Sequence, residues 1–212
     1  MSKDLQIFCR CKVSRFTYNN KDSQIIKELR SRFGEFEYEV YNDKVTYLGL
    51  KSKKVKNEDL ELIRKLVNLQ ELCFNNNQIT KIQDLNNLVE LEYLHLNDNQ
   101  ISKIQGLDKL TDLRHLYLVN NQITTIQGLE KLTELRELNL AHNQITKIEG
   151  LEKLDSLKHL WLNNNQITTI QGLDKLTRDL SYLQEISLEE NNIPKEEIKQ
   201  FKTNNPEISI YY

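Results

Sequence analysis

The chain has 212 residues, 38% of them hydrophobic and 28% charged, and a net charge of -2. That length fits one elongated domain or two small ones, and the absence of any apolar run of about 18 residues excludes a helical membrane span. The near-neutral total conceals an asymmetry: residues 1–68 carry 15 Lys and Arg against 10 Asp and Glu, whereas residues 69–212 carry 14 against 21.

The N-terminal stretch "MSKDLQIFCRCK" has neither the apolar core nor the small-residue cleavage site of a secretory signal. Three cysteines, Cys9, Cys11 and Cys73, cannot all pair within the chain. Together these features lead us to expect a cytoplasmic, reduced protein. "LQIFCRCKVSRF" reads as a strand that places Cys9 and Cys11 on one face, where buried packing explains them better than redox chemistry. "DSQIIKELRSRFG" reads as a helix capped by Asp22 or Ser23, with Ile25, Ile26, Leu29 and Phe33 on one face and Gly34 as its stop. "EFEYEV" then alternates Phe36, Tyr38 and Val40 with three glutamates, and "YNDK" supplies a hairpin turn.

From Val45 the pattern changes. "VTYLGLKSKKV" is a degenerate first copy of a unit that runs in register from Leu69, Leu91, Leu113, Leu135 and Leu157, with a further copy from Leu183 after a unit of 26 residues. Each full copy reads LxxLxLxxNQIxxIxxLxxLxx, a period of 22, with only Leu, Ile or Phe at the framework positions. The alternation in "LxLx" is that of a strand with one buried face. Stacked copies would lay these strands side by side as a parallel sheet, and the rest of each copy, too short for a full helix, would return through 3₁₀ or extended turns. A recurring asparagine (Asn77, Asn99, Asn121, Asn143, Asn165, Asn191) reads as an inward amide that satisfies backbone groups where the strand bends. Gly106, Gly128, Gly150 and Gly172 share one position and are expected to turn with positive φ. The tail "PKEEIKQFKTNNPEISIYY" reads as a short helix begun by Pro194 and a last strand through Ile208 and Ile210. The extra residues at 178–182 suggest a helical turn.

These repeats resemble the leucine-rich-repeat family, in particular its short 22-residue class, which includes the phosphatase-1 regulatory subunit and the bacterial internalins; the likeness covers roughly residues 45 to 200. It implies an α/β solenoid: a right-handed superhelix with a parallel sheet on its concave face and 3₁₀ or extended turns on its convex side. An exposed solenoid end must be capped. The expected division is an α/β capping segment at 1–44, repeats at 45–203 and a capping strand at 204–212.

Within each strand the third and fifth positions of the unit point away from the core, toward the concave face. They carry Tyr93, His95, His115, Tyr117, Glu137, Asn139, His159 and Trp161, and His142 follows in the same outward class. These nine residues are the candidate partner-binding site. Tyr93, His95, His115, Tyr117, His159 and Trp161 are all expected to be accessible to solvent, because alternation with core leucines leaves them no inward option. Aromatic residues grouped in this way suit a binding surface, and Asp98, Glu137, Glu185, Glu189 and Glu190 would form an acidic rim that steers a basic partner.

Chemistry is weakly represented. No GxGxxG or phosphate-loop motif occurs. His115 and Glu137 fall on neighbouring strands as an ion pair or hydrogen-bonded pair, and no catalytic residues are assigned. A zinc site from Cys73, His95 and His115 would have to run diagonally across three strands without recognisable ligand spacing. The expectation is a monomeric, non-enzymatic scaffold that needs no cofactor or metal and binds a protein or peptide through its concave face, with neither nucleic acid nor membrane as partner. The alternatives are a phosphatase-regulatory subunit, an internalin-like adhesin and a metal site on the concave face.

Overall fold

The computed structural model describes residues 20–173 and 182–212. The strand expected around Cys9 and Cys11 lies outside these residues, as does the helical turn expected at 178–182 except for Tyr182.

Helix α1 (Lys21–Phe33) buries Ile25, Ile26 and Leu29 and stops at Gly34, whose φ of 70° only glycine adopts freely. Its cap is Asn20, not Asp22 or Ser23: the Asn20 side chain accepts from the Ser23 backbone N–H at 2.8 Å. Asp22 lies inside the first turn, where the helix dipole favours an acid, and reaches across to the backbone N–H of Val45 at 3.0 Å. Strands β1 (Glu37–Tyr41) and β2 (Lys44–Gly49) form the expected hairpin. Both of its central residues, Asn42 and Asp43, have positive φ, as a two-residue turn of this hand requires.

From β2 onward every pairing is parallel. Strands β3 (Glu71–Cys73), β4 (Tyr93–His95), β5 (His115–Tyr117), β6 (Glu137–Asn139), β7 (His159–Trp161), β8 (Glu185–Ser187) and β9 (Ser209–Tyr211) follow in chain order. Among the described residues they make, with the hairpin, one open nine-stranded sheet. The middle residues Leu72, Leu94, Leu116, Leu138, Leu160 and Ile186 stand opposite one another and are fully buried. Among the described residues a single apolar core runs from Ile25 to Ile210.

The asparagines act as the spacing suggests. Asn121 donates to the carbonyls of Leu96 and Leu118 at 3.0 and 3.1 Å and accepts from the N–H of Ile101 at 3.0 Å. The pattern recurs with the same geometry at Asn99, Asn143, Asn165 and Asn191. Each amide thus ties its own coil to the preceding one.

The return segments contain repeated i to i+3 bonds, such as Leu88 N–H to Leu85 O at 2.9 Å and Leu91 N–H to Leu88 O at 3.0 Å, which are 3₁₀ geometry. The first coil departs from this. Its strand residues are 24 apart (Tyr47 opposite Glu71), and the added length accommodates a 3₁₀ turn (Asn57–Asp59) that runs into a short helix, α2 (Leu60–Ile63). Asp59 secures this start by accepting from the Lys56 N–H at 2.9 Å. Gly106 has φ 72°, and a Cβ there would meet the Ile82 carbonyl at 2.7 Å. Gly172 lacks the positive φ expected of it; what demands glycine there is the still closer approach of the Ile148 carbonyl.

At the C-terminal end Pro194 caps helix α3 (Lys195–Asn204), which buries Ile198 and Phe201. Glu197 anchors it by accepting from the Thr169 hydroxyl at 3.1 Å and the Ile170 N–H at 3.2 Å.

Candidate functional site

The register sets the outward side chains in two columns. Tyr93, His115, Glu137, His159 and Glu185 succeed one another in the first, and His95, Tyr117, Asn139, Trp161 and Ser187 in the second. Adjacent strands lie about 4.8 Å apart. Eight of the nine candidate residues are therefore neighbours on one face. His142 is the exception: it sits exposed with φ 55° on the turn after β6, at the place held elsewhere by Asn76, Asp98, Asn120, Asn164 and Glu190.

The expectation that all six aromatic and histidine side chains would be accessible is corrected at two of them. His95 retains 2% of its accessible surface and Tyr117 4%. They point away from the leucine core as alternation demands, but the neighbouring rings cover them. His95 stacks on Tyr117 with ring centres 4.9 Å apart, and Tyr93 stacks on His115 at 4.3 Å with parallel planes. Toward the N-terminal end the same face is closed further. Cys73 is buried, and Tyr47 folds over Gly49 so closely that a Cβ on that glycine would strike the tyrosine hydroxyl.

From β6 onward the face is partly open, with Ser187 its one buried outward residue. Glu137, Asn139, His159, Trp161 and Glu185 are all half-buried. The Trp161 indole N–H donates to Glu185 Oε1 at 3.2 Å, and its ring lies beside that of His159, 5.6 Å between centres. His159 Nδ1 is 3.9 Å from Glu185 Oε2.

A family model for leucine-rich repeats matches the chain in overlapping pairs of copies at residues 67–109, 89–131, 111–153 and 133–175. The chain belongs to the leucine-rich-repeat family. No curated protein matches it by sequence. Among solved structures it is similar to an internalin of Listeria monocytogenes, with 30% identity and a TM-score of 0.57 over 79% of this chain and 54% of that one. It is also similar to an internalin C2 of the same organism, at 26% identity and TM-score 0.55, over 81% and 85% of the two chains. The receptor chain in a TLR13–ssRNA13 complex gives TM-score 0.64 at 29% identity, over 74% of this chain and 23% of its own. The chain thus spans about half the length of the first internalin.

Within this leucine-rich-repeat sheet the charged residues are arranged against the rings. Glu137 Oε2 accepts from the Tyr117 hydroxyl and lies 3.3 Å from His115 Nδ1, which realises the His115–Glu137 pair. The neighbouring His115 nitrogen, with the Tyr117 hydroxyl in support, holds the Glu137 carboxyl below its usual range despite partial burial. Burial, and after it the hydrogen bond to Glu137 and the Glu137 charge, pushes the Tyr117 phenol above its usual range. The signs follow directly. A carboxyl lowered in the folded state stabilises the fold above its unfolded value of about 4.5 and loses that contribution as pH falls. A phenol raised in the folded state contributes fully below about pH 10 and loses the contribution above it. Glu137→Gln is accordingly expected to flatten the acid limb of a melting-temperature-against-pH curve, and Tyr117→Phe the alkaline limb. Unchanged limbs in both variants would show that the pair is not coupled to folding.

The diagonal zinc alternative would need Cys73, His95 and His115 brought together, and the structure does not group them as metal ligands. His95 Nε2 faces Glu71 Oε1 at 3.4 Å and its ring is held by Tyr117. Among the described residues no three His, Cys, Asp or Glu side chains are grouped as metal ligands. Two acids central to the site, Glu71 and Glu185, were not among the nine candidates. Their signal was present in the repeat, since each stands at the third position one coil away from a histidine or tryptophan. Of the acidic rim, Asp98 accepts from the Asn120 amide at 2.8 Å, and Glu189 and Glu190 follow β8.

Proposed function

We propose that this chain is a cytoplasmic, monomeric, non-enzymatic scaffold that binds a protein or peptide through the open C-terminal half of its concave face. The leucine-rich-repeat fold suggests a role in protein–protein interaction. The observation that carries the more specific reading is Trp161: a large ring left half-exposed beside Glu185, whereas Tyr117 at the equivalent position two coils earlier is buried under His95. Tryptophan in such a setting offers large contact area with one polar handle. Neither nucleic acid nor membrane enters this reading.

The test is affinity capture from the native cell followed by binding measurements on the captured protein. Trp161→Ala is expected to weaken binding by about 2 kcal/mol, roughly 30-fold, with little change in folding stability. Tyr117→Ala behaves differently on this reading, because its ring is buried and hydrogen-bonded: it lowers stability as well. Capture that ignores Trp161 would move the site elsewhere on the molecule. The likeness to internalins favours one second reading, an adhesin-type role at a cell surface. Protease treatment of intact cells separates the two, since only a surface protein is digested.

A further inference from the structure

The concave face carries one arrangement twice, with histidine and aromatic ring 44 residues apart: His115 and Tyr117, then His159 and Trp161. In the first copy both side chains lean from β5 to Glu137 on β6. In the second they lean from β7 to Glu185 on β8. Because each ring leans toward the following strand, its other face is turned to the preceding one. In the first copy that face is covered, by Tyr93 over His115 and His95 over Tyr117, at 4.3 and 4.9 Å and within 11° of parallel.

In the second copy the preceding strand offers Glu137 and Asn139, and neither is a ring. Glu137 is drawn toward β5 by Tyr117 and His115, and Asn139 Oδ1 is held by the Ala141 N–H at 3.1 Å. Among the described residues no ring is therefore stacked on the β6-facing side of His159 and Trp161, and this stretch of surface is the notch over β6. The first copy is a template for what fills it: a flat group stacked at the separation of neighbouring strands. Charge selects among flat groups. Both contacts of Glu137 use Oε2, so Oε1 remains to accept from a donor, and residues 69–212 carry seven more acids than bases.

We propose that the notch over β6 binds an arginine side chain from an extended segment of a protein partner, its guanidinium stacked on His159 and Trp161 and paired with Glu137. The proposal rests on the concave-face reading above and adds the chemistry of the partner. A guanidinium is planar, permanently charged and able to stack and hydrogen-bond at once; an ammonium is a hydrated point charge that cannot replace it.

Trp161 is the only tryptophan, so its emission reports on the notch directly. The probes are two blocked nonapeptides, one alternating arginine with glycine and one alternating lysine with glycine. The arginine peptide is expected to change the emission saturably, with a dissociation constant at least ten-fold lower than that of the lysine peptide. Asn139→Tyr, which sets a ring where His95 stands in the first copy, is expected to abolish the change without lowering the melting temperature. Should that variant fold poorly, Asn139→His carries the same test with a smaller ring. Equal responses to the two peptides, or arginine binding that survives closure of the notch, would overturn the proposal. If neither peptide binds while Trp161→Ala still releases the captured partner, the notch is wrong and the concave-face reading stands. If Trp161→Ala leaves capture intact as well, both fall.

Discussion

Asn77→Ala is expected to cost about 4 kcal/mol of folding stability, more than the same change at any central asparagine. The Asn77 carbonyl accepts from the Lys53 and Val55 N–H groups at 3.0 and 2.9 Å, and its amide donates to Leu50 and Phe74 at 2.8 Å. Phe74 O is shared with Asn99 and keeps a partner. Val55 N–H and Leu50 O have no such reserve, and each buried group left without a partner costs about 1–3 kcal/mol. At Asn121 the arithmetic is smaller. Leu96 O retains Asn99 and Leu118 O retains Asn143, so only the Ile101 N–H is orphaned, and the expected loss is about 2–3 kcal/mol. Denaturant unfolding of both variants checks the ranking. Equal losses at the two sites would show that shared carbonyls do not buffer the ladder.

Leu160→Ala is expected to cost about 2–5 kcal/mol, the range for removing a buried leucine side chain and leaving a cavity. Leu160 is fully buried between Leu138 and Ile186 on the adjoining strands. A coil of this kind has neighbours on two sides only, so the cavity weakens both of its contacts in the stack. Trp161 is the next residue along and points to the opposite face. The pair Leu160→Ala and Trp161→Ala should therefore separate stability from binding: the first lowers the unfolding midpoint, the second lowers partner affinity. A Leu160→Ala protein within about 1 kcal/mol of the parent would mean that the coil collapses around the missing side chain.

Much of the architecture was legible because it repeats. A 22-residue period with Leu or Ile at fixed places dictates one short strand per coil, the leucines inward, the asparagine under the bend and the third and fifth residues outward. Those assignments follow from local geometry alone, and the strand register carries them without a break from Leu48 to Ile210. Local features outside the repeat were less determinate. Asn20 caps α1 in place of Asp22 because Asp22 has a use elsewhere, on the Val45 N–H of β2, and a contact 23 residues away leaves no trace in the local pattern. The short helix α2 arises from two added residues and a capping aspartate in a coil whose repeat had already degenerated.

The site divides along the same line. Tyr117 and Trp161 occupy equivalent positions in their units, and the sequence by itself determined that both leave the leucine core on the concave side. Only the tertiary structure decided that Tyr117 is sealed and Trp161 open. A two-residue alternation specifies the direction of a side chain. Its exposure depends on what stands about 4.8 Å to either side and which way those neighbours lean. His95 lies over Tyr117, whereas Asn139 beside Trp161 is short and turned to its own backbone.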